Sequence, residues 1–107
     1  MDDLTALVRL VKIHRLLPRA GALLVANPPP AAIALPRAEL DDALASAHRQ
    51  AAEAGIVGDR LTPFLLQALQ ELTGGRTLRV NRGLALANAE LAARLAVALA
   101  DASAAAV

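Results

Sequence analysis

The sequence predicts an α/β fragment, mainly α-helical with one short strand, that forms part of a larger body. Three observations predict it. Apolar residues recur at helical spacing through most of the chain, between recognisable start and stop signals. One compact apolar run, Gly21 to Ala26, lies between turn residues and suits a buried strand, although periodicity alone does not separate it from a helix. No other run reads as a strand, and a lone strand is unstable. It must therefore pair with something absent from this chain, or with another copy of it.

The elements follow in order. Leu4, Leu7, Val8, Val11 and Arg15 keep helical spacing over residues 4–17, and Pro18 stops that helix. The run GALLVA at 21–26 is the strand. Asn27 and the prolines at 28, 29 and 30 end it, because prolines fix φ and remove donors. Pro36 suits the first position of the next helix, with Glu39, Asp41 and Asp42 in its opening turns, where the helix dipole favours acids. Leu40, Ala43, Leu44, Ala47, Ala51 and Ala54 form its apolar stripe, and Gly55 is its stop. Gly58, Asp59 and Arg60 read as a loop. Thr62 and Pro63 read as an N-cap and a first-turn proline, opening a helix that ends at Gly74 and Gly75. The last helix is expected from about Leu78 to near Ala104. Its stripe is Leu78, Asn81, Leu84, Asn88, Leu91, Leu95 and Leu99.

Composition narrows the classes. The chain has 107 residues, read as a single partial domain, and 56% of them are hydrophobic, which argues against disorder. Phe64 is the only aromatic residue. Without large rigid fillers, the core must come from close Ala/Leu helix packing or from surfaces on other segments. The net charge is +1, with Lys and Arg totalling 11 against 10 acids. A nucleic-acid partner needs a clustered basic surface and stacking aromatics, so none is expected. Cysteine is absent, which excludes disulfides, thiolate metal sites and a cysteine nucleophile. Met1, Asp2 and Asp3 open the chain with acids where a signal peptide is basic, and the apolar run Ala20 to Ala26 is too short to cross a bilayer. No membrane partner is expected, and the chain reads as soluble and cytoplasmic.

Few residues could carry chemistry. Asn81 and Asn88 lie seven apart, nearly two helical turns, among leucines, where an amide is costly unless hydrogen-bonded. Either Asn81 reaches a ligand at the helix start, or both amides tie down loops or neighbouring helices. Asn27 could orient a ligand at the strand's end, though Asn before Pro is also a turn opener. Gly74 and Gly75 could admit a phosphate to backbone amides, or simply stop a helix. Arg76, Arg79 and Arg82 recur every third residue and read as a solvated face. His14 and His48 lack metal-ligand spacing. Lys12, the only lysine, reads as solvated rather than as a Schiff-base nucleophile. Asp41 and Asp42 face different sides of a helix and make no catalytic carboxylate pair.

The stretch TPFLL at 62–66, ELTGG at 71–75, then Leu78 and Asn81, resembles the TPFLL…ELTGG…SLxxN pattern of pseudouridine-5'-phosphate glycosidases. GALLVANPPP at 21–30 is similar to that family's GxLxANPxP strand and loop, and AEAGIVG at 52–58 to the linker before TPF. These blocks agree in order and spacing over roughly residues 7–100, and they cover only the C-terminal third of such an enzyme. The resemblance implies an αβα body and reversible cleavage of the C–C glycosidic bond of pseudouridine 5'-phosphate to uracil and ribose 5-phosphate. It also implies a divalent metal, typically manganese (Mn2+), a lysine adduct with the opened sugar, and a homotrimer. The lysine, the acid–base glutamate and the metal-binding aspartate lie upstream in the family. No metal is therefore expected to bind this chain alone, and its partner is a missing N-terminal portion or a separate chain. Asn81 matches the family's active-site asparagine and is the one catalytic residue carried over, in a supporting role. The chain departs from the pattern at Arg82-Gly83, at Ala87, and at Ala31 and Ala32. The reading is thus a C-terminal glycosidase portion, inactive alone. The alternative is a non-catalytic helical interaction or oligomerisation module left from a degraded gene.

Overall fold

A computed structural model describes residues 3–18 and 21–104. The chain is mainly helical: α1 spans Leu4–Leu16, α2 Arg37–Glu53, α3 Leu61–Leu72 and α4 Arg76–Ala104, with a 3-10 turn at Gly58–Arg60. Its contacts form two compact units. One runs from Pro29 to Ala85. The other joins the segment ending at Pro28 to the part of α4 from Leu86 onward.

In the unit from Pro29 to Ala85, α2 packs on α3. The seam is made by small side chains: Ala47 is fully buried, and Ala51 and Ala68 nearly so. Alanine lets helix backbones approach closely, which is how a chain without aromatics still makes a tight contact. α2 begins after Pro36, which sits at the N-cap rather than at the first helical position expected of it. At its end, Gly55 takes φ +66°, Ile56 N–H donates to Ala51 (2.9 Å) and Gly55 N–H to Ala52 (3.2 Å), closing a Schellman motif. α3 stops in the same way: Gly74 has φ +61°, Gly75 N–H donates to Gln70 (2.7 Å) and Gly74 N–H to Glu71 (3.3 Å). The two glycines are a helix stop, as their plain reading had it.

Thr62 is not the N-cap it was expected to be. The 3-10 turn runs straight into α3, whose first residue is Leu61 and whose N-cap is Arg60. Thr62 and Pro63 therefore occupy the second and third helical positions. Pro63 is tolerated there because first-turn N–H groups have no intrahelical acceptor. The start of α4 is tied to the end of α3 by Thr73. Its hydroxyl donates to the Leu69 carbonyl (2.7 Å) and accepts from Thr77 N–H (3.3 Å), and both threonines are buried. Arg76 holds Glu39 on α2 through both guanidinium NH2 groups, at 2.6 and 2.7 Å. Both side chains are nearly half exposed, so the pair adds little stability, on the order of 1 kcal/mol or less. Ile33 lies against α4 at Gly83, in the space that a Cβ there would fill.

In the other unit, α1 lies beside the later part of α4. Asp3 caps α1 by accepting from Thr5 N–H (2.9 Å), and the helix ends with Leu17 N–H on the His14 carbonyl (3.2 Å), just before Pro18. Val8 is its buried residue. Lys12 Nζ donates to the Ala102 carbonyl of α4 (3.3 Å), a helix-tying role instead of the solvated one expected. Half-buried Leu91, Leu95 and Leu99 keep the predicted α4 stripe, whereas Leu78, Asn81 and Asn88 are exposed. By length and composition alone, Arg76–Ser103 is long and apolar enough to cross a membrane, which the separate apolar runs did not suggest. The alanines that crowd this helix supply much of that character.

The short strand expected at Gly21–Ala26 is not formed, and no strand occurs among the described residues. Residues 21–30 run without turn, bend or ladder. A strand exists only through hydrogen bonds to a second backbone, and the described residues offer none. Leu23, Leu24 and Val25 are all exposed, at 37%, 94% and 40%.

Candidate functional site

The turn Thr73–Gly75 brings the end of α3 against the start of α4, and a cavity of about 550 Å3 opens between them. Leu66, Gln67, Gln70 and Glu71 line it from α3, and Thr77, Leu78 and Asn81 from α4. Residues three and four apart on a helix share a face, which is why 67, 70 and 71 arrive together, as do 77, 78 and 81. Its lining thus combines two exposed leucines with amide, hydroxyl and carboxylate groups. Gln67 Nε2 donates to Glu71 Oε1 (3.1 Å), which fixes both side chains and leaves carboxylate acceptor capacity free.

Asn81 is exposed at the rim of this cavity. It is therefore not the buried amide among leucines that its stripe implied. Its carboxamide presents one acceptor and two donors to whatever enters. Asn88, seven residues on, has a different place. Its Oδ1 accepts from Asn27 Nδ2 (3.2 Å), so it ties the segment before the prolines to α4. The two asparagines, which the sequence left open as a pair, are thus separated by structure: Asn88 is a tie, and Asn81 faces a cavity. Asn27 serves the same tie.

Sequence reasoning missed Gln67, Gln70 and Glu71. The signal was present, since these are the polar positions of an otherwise apolar helix, on one face and next to a tight turn. Thr62 does not line the cavity, and Arg76 is engaged by Glu39. A second cavity, of about 400 Å3, lies in the other unit, lined among others by Leu4, Leu7, Val25, Asn27, Leu91 and Arg94. Among the described residues, no group of three or more His, Cys, Asp or Glu side chains is placed to hold a metal ion.

The comparisons decide the lineage. The family model described as Indigoidine synthase A like protein matches residues 1–98. The chain belongs to this family. Among its relatives, a pseudouridine-5'-phosphate glycosidase of Methylobacterium nodulans is 46% identical over 99 residues, covering 92% of this chain and 29% of that protein. The enzyme of the same name from Cupriavidus pinatubonensis is 41% identical over 107 residues, covering all of this chain and 34% of its own length. The match falls on the C-terminal part of these family members. The chain thus spans about a third of the length of the curated relatives that it matches. A crystal structure of the prealnumycin C-glycosynthase AlnA in complex with ribulose 5-phosphate superimposes with a TM-score of 0.84 at 32% identity, covering 97% of this chain and 34% of AlnA. The helical arrangement of this chain is thus shared with the matching third of AlnA.

Proposed function

We propose that this chain forms the C-terminal part of a pseudouridine-5'-phosphate glycosidase, which reversibly cleaves the C–C glycosidic bond of pseudouridine 5'-phosphate to uracil and ribose 5-phosphate. The observation that carries the reading is the 46% identity to the Methylobacterium nodulans enzyme over 92% of the chain. The family members' remaining two thirds supply, on this reading, the nucleophilic lysine, the acid–base glutamate and the aspartate that binds manganese. The complete enzyme is then the expected cytoplasmic homotrimer.

The chain's own contribution is positional. Asn81 stands at the rim of the α3–α4 cavity with its amide free to meet a sugar hydroxyl, a phosphate oxygen or the base. A single donor aimed at charge that develops in the transition state changes rates by roughly ten- to a thousandfold. The test joins the N-terminal two thirds of the Methylobacterium nodulans enzyme to this chain and follows uracil release by chromatography in the presence of manganese. The fused enzyme should turn over and the chain alone should not. Asn81→Ala in the fusion should lower turnover by roughly ten- to a thousandfold with an unchanged denaturant midpoint. Unchanged turnover with a clear loss of stability would remove the catalytic assignment.

A further inference from the structure

We infer that Glu71 is a specificity-determining residue of the Asn81 site: its carboxylate, the Thr77 hydroxyl and the Asn81 amide receive the neutral hydrogen-bond donors of the substrate, a sugar hydroxyl or a base N–H, and leave its phosphate outside. The inference deepens the functional reading and rests on it for the identity of the substrate. The chemistry of the site rests on this chain's own geometry.

The polar groups of the α3–α4 cavity are placed for a ligand. Thr77 lines it and is only 9% exposed. Its N–H donates to Thr73 Oγ1 (3.3 Å), but among the described residues its own hydroxyl has no hydrogen-bond partner. No fully covered side-chain oxygen among those residues lacks a partner. The little surface that Thr77 keeps therefore includes its hydroxyl, and the cavity must supply the partner. Glu71 lines the same cavity from α3. Gln67 Nε2 holds its Oε1 (3.1 Å) and leaves Oε2 as a free acceptor. The volume of about 550 Å3 falls within the roughly 300–1,000 Å3 of small-molecule sites.

Charge decides which part of the substrate fits. Glu71 is the charged residue of the lining, and among the described residues no lysine, arginine or histidine joins it there. A phosphate beside an unbalanced carboxylate is repelled, whereas a hydroxyl or an imide N–H gains a charge-assisted hydrogen bond. Arg76, at the start of α4, is held by Glu39 through both NH2 groups, at 2.6 and 2.7 Å. Nor does that helix start offer free amides to an anion. Arg76 N–H donates to the Thr73 carbonyl, Thr77 N–H to Thr73 Oγ1 and Arg79 N–H to the Gly75 carbonyl, each at 3.3 Å. The phosphate thus falls to residues outside this cavity.

The fused enzyme described above tests this in the synthetic direction, where uracil and ribose 5-phosphate each have their own KM. Glu71→Gln keeps the acceptor for Gln67 and removes the charge. It should raise one of the two KM values roughly tenfold, with kcat and the denaturant midpoint little changed. Thr77→Val, which keeps the N–H bond to Thr73, should raise the same KM. A rise for uracil places the base in the cavity, and a rise for ribose 5-phosphate places the sugar hydroxyls there. Turnover with both KM values unchanged in Glu71→Gln overturns the inference and leaves the functional reading standing. So does an equal rise in both with a lowered midpoint, which marks a structural role. In a fusion that releases no uracil the functional reading fails, and titration of the chain alone decides. Ribose or uracil should then shift the backbone amide resonances of Thr77 and Asn81, and inorganic phosphate should not. Shifts from phosphate at those amides, or none from either neutral probe, overturn the inference.

Discussion

Between Pro29 and Ala85 the chain buries more of its side chains than it does in the unit made by residues 3–18, 21–28 and 86–104. The first unit buries three alanines along a helix seam, ends two helices in Schellman motifs, and links the end of α3 to the start of α4 through Thr73 and Thr77. The second has Val8 as its buried apolar residue among the described ones and leaves Leu16 at 83%, Leu24 at 94% and Val97 at 62% exposure, while the first leaves Val57 at 69% and Leu66 at 52%. Both have much the same Ala/Leu chemistry. What differs is how many side chains each unit buries within this chain.

The largest effect should come from the seam. Ala47 has no exposed surface, so Ala47→Leu must separate α2 from α3, with a cost of about 1–3 kcal/mol. Denaturant melts followed by circular dichroism will show it, and an unchanged midpoint would mean that the seam is looser than its burial says. Thr73→Val comes next. It removes the acceptor of a buried Thr77 N–H and should cost about 1–2 kcal/mol, while Thr73→Ser should recover most of this. In the other unit, Leu24→Ser should move the midpoint of the chain alone by no more than about 0.5 kcal/mol, because a residue so exposed loses no contact. A large effect at Leu24 would break the contrast between the units.

How much of this was legible in the sequence depends on where each feature's partner lies. Helices stabilise themselves, so stop signals such as Pro18, Gly55 and Gly74 placed their ends to within a residue or two. Thr62 misled because a Thr-Pro pair looks the same at a cap as one position inside a helix entered through a 3-10 turn. The strand at 21–26 misled for a deeper reason. An apolar run between turn residues supplies one backbone, while a ladder needs a second, which the described residues do not bring to it. At the site, the motif ending in Asn81 singled out the residue, yet the leucine stripe wrongly buried it. The companions Gln67, Gln70 and Glu71 appeared only once the two-glycine stop had folded α3 against α4.

The contrast between the units is tested most directly by native-state hydrogen exchange on the chain alone, read residue by residue. The account predicts slow amides within 47–53, 64–72 and 78–84, and fast amides at 22–26, separated by roughly a hundredfold or more in protection. Equal protection of both regions in a monomer would contradict it, because the segment at 21–26 would then have found its partner within this chain.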